Sequence, residues 1–591
     1  MSSELKIHGI NGPVVTIKGR TSLGMLEMVY VGDNRLIGEV IGISDNHTVI
    51  QVYESTTGLR PGEIVTPSGG LMACALGPGM LRSIYDGIAR PLEKIADISG
   101  PFIKPGLDIP AIDIERLWSV EIRTKINNTV TPGTVIATCQ ETPSIIHRIM
   151  IPPNLSGRVV YVASSRQYKA TDKIVTIMND KGERHNISLV QHWPIRMPRP
   201  IAQRLPINEP LITGQRVIDT LFPIAKGGAS AIPGGFGTGK TMLQHQLAKY
   251  SDADIIIYVG CGERGNEMTQ ALTEFSELVD PRTGQSLLDR TVLIANTSNM
   301  PVAAREASIY TGITIAEYYR DMGYHVALMA DSTSRWAEAL REISGRLEEM
   351  PAEEGYPAYL PSRLAAFYER AGRVSTLNGG EGSITVIGAV SPQGNDFSEP
   401  VTQNTKRFTR CFWGLEKSLA YARHYPAVNW NLSYSEYVDE LSPWFSKEVA
   451  DDFIDLRAEI IRLLNEESEL MEIVKLIGAD LLADDQKLIL EIARIIRVGF
   501  LQQNALHQND SFVPIGKQYR FMKVIVALYN GAREITARQI PITRLKERGI
   551  FDKLIKSKYE IPNDELDRFD QLTDEINADI RTVISEHENE G

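Results

Sequence analysis

The sequence has 591 residues, of which 43% are apolar and 23% charged, so it is too long for one hydrophobic core and predicts about three to five globular domains. Its formal charge of −12 argues against nucleic acid as a partner, because that binding needs a basic surface that displaces counterions. The four cysteines lie far apart and form no CxxC pair, which argues against a zinc site or a disulfide framework and fits a reducing cytoplasm.

The N-terminus lacks the charged-then-apolar layout of a signal peptide. No apolar run approaches the roughly 18–20 residues that a membrane-spanning helix needs. We therefore predict no signal peptide and no transmembrane segment, so that any role at a membrane runs through partner proteins.

The first part of the chain reads as β-structure. Short alternating segments separated by glycine turns predict an N-terminal β-barrel over residues 1–72, followed by a connector over 73–115. Residues 116–190 are again β-rich and form a predicted insertion. Lys169 in this insertion raises the alternative of a lipoyl or biotinyl carrier, but its neighbours do not match the Met-Lys-Met of a biotin site, so a structural insertion is favoured.

The second part changes to alternating strands and helices. Within residues 191–440, the continuous apolar runs 255–259, 291–295 and 326–330 are typical of parallel strands buried on both faces. Beyond 440 the strand pattern fades and apolar residues recur at helical spacing, which predicts a helical bundle over 441–591. The expected fold class is therefore multidomain α/β.

A phosphate-binding loop lies in the α/β part. The residues that match GxxxxGK[ST] in full are Gly234, Gly235, Phe236, Gly237, Thr238, Gly239, Lys240 and Thr241. The glycines let backbone N–H groups surround a phosphate, Lys240 can reach the β- and γ-phosphates, and the Thr241 hydroxyl can bind Mg²⁺. A helix over about 240–250 would direct its positive end at the anion. We predict binding of ATP or ADP with Mg²⁺.

Acidic residues follow two of the predicted strands. Asp331 ends the run 326–330, where an aspartate can order Mg²⁺ through water. Glu263 follows the run 255–259 and could polarise a water for attack on the γ-phosphorus, with Arg264 holding it or contacting phosphate. From these residues alone, a surface salt bridge between Glu263 and Arg264 is an equal alternative.

Longer runs carry a family resemblance over essentially the whole chain. They are GPG from Gly77, YDGI from Tyr85, TGQRVID from Thr213, CGERGNEM from Cys261, ANTSNMPVAAREAS from Ala295, ADSTSRWAEA from Ala330 and EPVTQNT from Glu399. With these runs and the phosphate loop, the chain resembles the catalytic A subunits of prokaryotic V-type and archaeal-type rotary ATPases. The resemblance implies a β-barrel, a β-rich bulge as a non-homologous insertion, a RecA-like nucleotide domain and a C-terminal helical domain.

The resemblance also implies site roles. Glu263 would position the attacking water, Arg264 would support it, and Asp331 would order Mg²⁺. Tyr425 would pack on adenine. The other side of the base would be lined by Gln503, Ala505 and Leu506.

The chain departs from the family pattern at two of these positions. Relatives often carry Phe where this chain has Leu506, and Leu506 can pack on adenine but cannot stack, which predicts binding weaker by up to about 1.5 kcal/mol. Thr238 stands where eukaryotic members carry a cysteine, so a disulfide at this loop is excluded.

The resemblance further implies an assembly. Three A and three noncatalytic B subunits would alternate in a ring, with B supplying an arginine in trans. Central and peripheral stalk subunits would connect this ring to a membrane sector that carries H⁺ or Na⁺. The chain would then lie at the cytoplasmic face of the membrane. Nucleic acid would not be among its partners.

Other functions stay open at this point. An RNA translocase or an export-type ATPase shares the nucleotide core, although the acidic charge argues against the first and the 116–190 insertion against the second. A noncatalytic nucleotide-binding scaffold is a third alternative, against which Lys240, Thr241 and Glu263 together argue.

Overall fold

The computed structural model describes residues 4–100 and 102–590; residues 1–3, which entered the signal-peptide prediction, lie outside this range. The described residues form two compact units. Unit 1 comprises residues up to 206, 227–229 and 253–409, and unit 2 comprises 207–226, 230–252 and the chain from 410 onwards. None of the helices in the described ranges combines the length and apolar character needed to span a bilayer.

The N-terminal strands of unit 1 form the predicted β-barrel. They are β1 (Ile7–Asn11), β2 (Val14–Lys18), β3 (Glu27–Val31), β4 (Leu36–Ile43), β5 (His47–Val52) and β6 (Val65–Leu71). Their antiparallel order is β1-β2-β5-β4-β3-β6. The N–H of Val65 donates to the Leu5 carbonyl at 2.8 Å, which brings the ends of the sheet together. Alternating side chains such as Val15, Val29 and Ile50 fill the interior.

The next segment contains the connector and the β-rich insertion. Its elements are β7 (Ala73–Leu76), β8 (Ile84–Tyr85), α1 (Leu92–Ser99), β9 (Leu117–Ile122), β10 (Thr129–Val130), β11 (Val135–Thr142), β12 (Ile145–Met150), β13 (Gly157–Val162), β14 (Arg166–Lys169), β15 (Val175–Met178), β16 (Arg184–Ile187), β17 (Gln191–Pro194) and β18 (Gln203–Arg204). The sheets β10-β13-β15-β16 and β12-β11-β9-β14 enclose a core around Trp118, Ile136 and Val175. Lys169 ends β14 and pairs with Glu115 at 2.5 Å.

The α/β part follows. Its elements are β19 (Ala229–Pro233), α2 (Lys240–Tyr250), β20 (Ile255–Glu263), α3 (Gly265–Glu277), β21 (Thr291–Thr297), α4 (Val302–Asp321), β22 (His325–Asp331), α5 (Thr333–Arg346), α6 (Leu360–Tyr368), β23 (Gly372–Ser375), β24 (Glu381–Val390) and α7 (Pro400–Phe408). In unit 1 the parallel order is β24-β22-β20-β21-β8. Strand β8 lies in the segment predicted as a connector. The sequence does not indicate this strand because its sheet partner, β21, is distant along the chain.

Unit 2 is largely helical after its short strands. Its later elements are β25 (Cys411–Phe412), α8 (Lys417–Tyr421), β26 (Tyr434–Ser435), α9 (Val438–Glu448), α10 (Phe453–Ile477), α11 (Asp484–Arg494), α12 (Ile515–Ala537), α13 (Thr543–Glu547), α14 (Ile550–Glu560) and α15 (Asp567–Glu590). Strand β19 runs parallel to β25, which pairs antiparallel with β26. The predicted fold class is confirmed: a β-barrel, a parallel α/β sheet and a helical C-terminal part.

Helix α4 is buried along almost its whole length, although it carries charged residues. The guanidinium of Arg196 forms a two-point contact with Glu306 of α4 at 2.7 and 3.0 Å. The same guanidinium lies 2.9 Å from Glu39 of the barrel. Asp321, at the end of α4, pairs with Arg199 at 2.6 Å. These arginines neutralise the buried carboxylates and hold α4 in place.

Replacing Arg196 should destabilise unit 1. In Arg196→Met, Glu39 and Glu306 lose their shared cation while remaining buried, and we expect a loss of about 3–5 kcal/mol. The urea midpoint of unfolding, followed by fluorescence, measures this effect. The exposed Arg20→Met is the control and should change stability by no more than about 0.5 kcal/mol. Equal midpoints for the two variants would contradict the proposed importance of this contact.

Candidate active site

The phosphate loop has the expected strand–loop–helix setting in unit 2. Strand β19 ends at Pro233, and α2 begins at Lys240. Gly237 and Gly239 have φ angles of 80° and 87°, in the left-handed region that favours glycine. A Cβ on Gly234 would come within 2.6 Å of the Thr238 hydroxyl oxygen. The glycines are therefore required by the backbone and by close packing.

The polar side chains of this loop are held against its backbone. The Lys240 ammonium donates to the carbonyls of Gly234 at 2.7 Å and Gly235 at 3.2 Å. The Thr238 hydroxyl donates to the Gly235 carbonyl at 2.8 Å. Thr241 is the second residue of α2 and is partly exposed, and Phe236 is exposed. The Lys240 ammonium thus lies at the mouth of the loop, where phosphate oxygens could replace the carbonyls as acceptors.

A cavity of about 600 Å³ opens beside this loop, also within unit 2. Its walls include loop residues 237–239 on one side. They also include the residues predicted for the base, which are Tyr425, Gln503, Ala505 and Leu506. The volume is in the range of small-ligand sites. The structure therefore brings together the loop and the predicted base-binding residues.

The residues predicted to bind the base differ in their surroundings. Leu506 is 97% exposed and Tyr425 is 42% exposed, so both can cover a planar ring. Gln503 is buried, and its side chain accepts from the Arg216 N–H at 2.9 Å and donates to the Gly214 carbonyl at 2.7 Å. Its own N–H donates to the Tyr425 carbonyl at 2.7 Å. The side chain of Gln503 thus uses its hydrogen bonds to fix the wall of the cavity to residues 214 and 216.

Further residues line the same cavity without having been predicted. Met242 and Gln246 do so from α2, and their spacing from Gly239 along one helical face could have indicated this. Tyr559 does so from α14. No local sequence signal identifies Tyr559, because its position depends on the packing of the helical part.

The two predicted carboxylates lie near each other in unit 1. Strands β20 and β22 are parallel neighbours, and Gly260 of β20 is in register with Asp331, the last residue of β22. Asp331 is 2% exposed and accepts a hydrogen bond from the Tyr258 hydroxyl at 3.3 Å. Glu263 ends β20 and is partly buried. Parallel strands therefore place both acids at one edge of the sheet.

The environment of Glu263 favours its protonated form. Burial raises the pKa of Glu263 to about 8, with further contributions from the charge of Asp331 and from Glu267, while Arg335 acts in the opposite direction. A carboxyl group with a pKa in this range can accept or release a proton near neutral pH. Strongly shifted carboxylates of this kind are characteristic of functional sites.

Besides the predicted Arg264, two further arginines approach the turn before Glu263. Arg264 precedes α3 and is exposed. Gly262 has a φ of 73°, and a Cβ there would lie 2.9 Å from atoms of both Arg305 and Arg335. Arg335 pairs with Glu338 at 2.9 Å. Arg305 had no sequence signal, because it approaches this turn only through the fold.

The donor atoms of the two residues predicted as Mg²⁺ ligands, each considered in its own unit, suit this ion. Across residues 4–100 and 102–590, no group of three or more His, Cys, Asp or Glu side chains is arranged to hold a metal ion alone. Mg²⁺ at a nucleotide takes its ligands largely from phosphates and water, together with one or two protein oxygens. The hydroxyl of Thr241 in unit 2 and the buried carboxylate of Asp331 in unit 1 are oxygen donors of this type.

Family comparisons match successive parts of the chain. Residues 7–69 match the ATP synthase alpha/beta family β-barrel domain, and residues 109–196 match the barrel-sandwich domain of the alpha/beta subunits. Residues 214–435 match the nucleotide-binding domain of the same family. Residues 442–542 match the C-terminal domain of V and A type ATP synthase.

Curated relatives are similar over nearly the full length. A V-type ATP synthase alpha chain of Halothermothrix orenii is 59% identical, covering 97% of each chain. The V-type ATP synthase alpha chain 2 of Clostridium tetani is 58% identical, covering 98% of each. The corresponding chain of the A-type ATP synthase of Methanopyrus kandleri is 52% identical, covering 99% of this chain and 100% of its own.

A solved structure is similar in fold. The assembled ATPase EscN of the enteropathogenic Escherichia coli type III secretion system has a TM-score of 0.62 to this chain. It covers 88% of this chain and 100% of its own, at 22% identity. At that identity the likeness concerns the fold alone.

The raised pKa of Glu263 predicts a pH-dependent stability. Between about pH 4.5, where a free glutamate ionises, and about pH 8, the folded protein binds more protons than the unfolded chain, so its stability falls as pH rises. Glu263→Gln cannot ionise and escapes this loss. We expect the melting temperature of Glu263→Gln relative to wild type to increase from pH 5 to pH 8.5, as measured by calorimetry. The exposed Glu277→Gln should show a constant difference. A pH-independent difference for Glu263→Gln would argue against the shift.

Proposed function

Since this chain belongs to the family of V-type and A-type ATP synthase alpha chains, we propose that it forms and hydrolyses ATP in a rotary ATPase that couples this turnover to H⁺ or Na⁺ transport. It is an enzyme of ATP turnover and a component of a V/A-type ATPase complex. The observation that supports ATP as the ligand is the glycine loop 234–241 beside the cavity lined by Tyr425 and Leu506.

The residues of unit 2 bind the nucleotide. The ammonium of Lys240 exchanges its carbonyl acceptors for β- and γ-phosphate oxygens, and the N-terminus of α2 adds its positive end. The base enters the cavity, where Tyr425 covers one side and the wall from Gln503 to Leu506 covers the other. Because Leu506 has no aromatic ring, it packs against the base without stacking on it, whereas Tyr425 can stack on the other side.

The acids of unit 1 serve the chemical step. The ionised form of Glu263 accepts the proton of the attacking water during hydrolysis, and the protonated form, which its surroundings favour, returns it during synthesis; a pKa of about 8 keeps both forms accessible near neutral pH. The residues that would hold Mg²⁺ are Thr241 of unit 2, through its hydroxyl, and Asp331 of unit 1, through its carboxylate. Bound Mg²⁺ neutralises charge on the phosphate oxygens. Arg264 supports Glu263 or contacts phosphate at the solvent-exposed side.

The proposal includes partners beyond this chain. Noncatalytic B subunits alternate with it in a hexamer of three A and three B and contribute an arginine in trans, because charge on the transferred phosphoryl group needs further neutralisation. Stalk subunits link this hexamer to the membrane sector, and the chain works at the cytoplasmic face of the membrane. We also propose that the chain is divided into domains with boundaries after residues 72, 115, 190 and 440.

The alternatives have less support. A noncatalytic scaffold has no need for a buried acid pair such as Glu263 and Asp331. The likeness to the export ATPase is limited to the fold. An RNA translocase would bind RNA through a basic surface, and this chain carries a formal charge of −12.

Glu263→Gln tests the catalytic role. In the assembled complex we expect ATP hydrolysis to fall by about 10²- to 10⁴-fold, because the proton acceptor is lost, while binding of ADP stays within twofold. Steady-state turnover and equilibrium binding measure the two effects. Glu277→Gln on α3 is the matched control and should retain wild-type turnover. Turnover of Glu263→Gln within a few-fold of wild type would refute the assignment.

The isolated chain tests the trans arginine. We expect ATP hydrolysis by the purified chain to be about 10³- to 10⁵-fold slower than by the assembled complex, because an arginine finger contributes that much in comparable enzymes. Turnover is measured with and without the added noncatalytic partner. Vigorous hydrolysis by the chain alone would mean that the site needs no partner.

A further inference from the structure

One wall of the nucleotide cavity has an irregular backbone. Residues 502–506 line the cavity but belong to neither a helix nor a strand. They follow the π-helical turn Ile495–Leu501. Backbone carbonyls near the end of a helix lack partners within the helix and must be satisfied by other groups. The position of this wall therefore depends on the side chains that bind it from behind.

Arg216 is the first of these side chains. Its guanidinium donates to the carbonyl of Gln502 at 2.9 Å and to the carbonyl of Phe500. It also pairs with the Asp510 carboxylate at 2.6 Å, and both side chains of this pair are fully buried. The other carboxylate oxygen of Asp510 accepts from the Asn504 N–H at 2.6 Å. The pair thus holds the wall at residues 502 and 504.

Of two buried lysines in the C-terminal helices, Lys558 donates to the wall and Lys517 to the segment that follows α14. The ammonium of Lys558, in α14, donates to the carbonyls of Val498 at 2.7 Å and Gln502 at 3.0 Å. Lys517, in α12, donates to the Ile561 carbonyl at 2.6 Å, just beyond the end of α14. The carbonyl of Gln502 therefore accepts from both Arg216 and Lys558.

The cost of burying these cations indicates a specific role. Lys517 and Lys558 are almost completely buried. Burial and, to a smaller extent, the charge of Arg216, partly opposed by Asp510, lower the pKa of each lysine to about 8. Apolar side chains of similar length would fill the same space without the loss of hydration. Apolar side chains could not donate hydrogen bonds to backbone carbonyls, as Lys558 does to Gln502 in the wall and Lys517 does to Ile561 outside it.

We propose that Lys558 is a positioning residue for the nucleobase: by holding the Gln502 carbonyl from behind, it sets the distance between the 502–506 wall and Tyr425 across the cavity. A single peptide group connects Lys558 to Tyr425: its carbonyl, from Gln502, accepts from Lys558, and its N–H, from Gln503, donates to the Tyr425 carbonyl at 2.7 Å. Tyr559, the neighbour of Lys558, itself lines the cavity. This inference rests on the proposed binding of ATP in the cavity. It states that Lys558 affects the affinity for the base and leaves the affinity for the phosphates unchanged.

The test compares a ligand with a base and a ligand without one. In the assembled complex, Lys558→Met should raise KM for ATP by about five- to tenfold with kcat within twofold, because one-sided packing of the base is weakened. Inhibition by tripolyphosphate, which offers the phosphate loop no base, should stay within twofold of wild type. Lys556→Met, an exposed lysine on the same helix, is the matched control and should leave both constants unchanged.

The ratio of KM for ATP to the inhibition constant for tripolyphosphate decides the outcome. A ratio that stays at the wild-type value in Lys558→Met overturns the proposal, whether both constants are unchanged or both rise together. If Lys558→Met fails to assemble, Lys558→Gln, whose shorter amide keeps a donor but retracts from the carbonyl, should raise the same ratio, and an unchanged ratio is again contrary. A wild-type complex that neither binds nor hydrolyses ATP would instead remove the proposed function, and this inference with it.

Discussion

The contact of Arg196 with Glu39 and Glu306 is the interaction on which unit 1 depends. It joins the barrel to helix α4, which packs against β20, β22 and β24. A buried carboxylate without a cation would be strongly destabilising, so this arginine is what allows α4 to lie in the interior. The sheet that α4 supports then determines where β20 and β22 end, and hence where Glu263 and Asp331 lie.

The proximity of these acids has a chemical consequence. Burial and the charge of Asp331 raise the pKa of Glu263 to about 8, so its proton can be exchanged near neutral pH. The role proposed for Glu263 requires a group able to take the proton in hydrolysis and return it in synthesis. Under that proposal, the electrostatic cost of placing two acids together serves the reaction.

In unit 2, buried side chains hold the irregular cavity wall formed by residues 502–506. These residues lie in neither a helix nor a strand, and buried cations donate to the carbonyl of Gln502. These cations come from segments distant in sequence: Arg216 precedes the phosphate loop, while Lys558 lies in α14. The wall of this cavity is thus held by long-range contacts, whereas the glycine loop 234–241 is formed by neighbouring residues.

The sequence by itself determined the elements whose signals are local. The phosphate loop, helix α2 and strands β20 to β22 follow from glycine spacing and apolar runs, because backbone freedom and burial on both faces act over a few residues. The family resemblance supplied the base-binding residues that line the cavity. Only the tertiary structure placed β8 beside β21, Arg305 at the turn before Glu263, and Tyr559 and Lys558 behind or within the cavity wall. These positions arise from pairings between distant segments, and no periodicity along the chain encodes which distant partner a buried charge or an edge strand will meet.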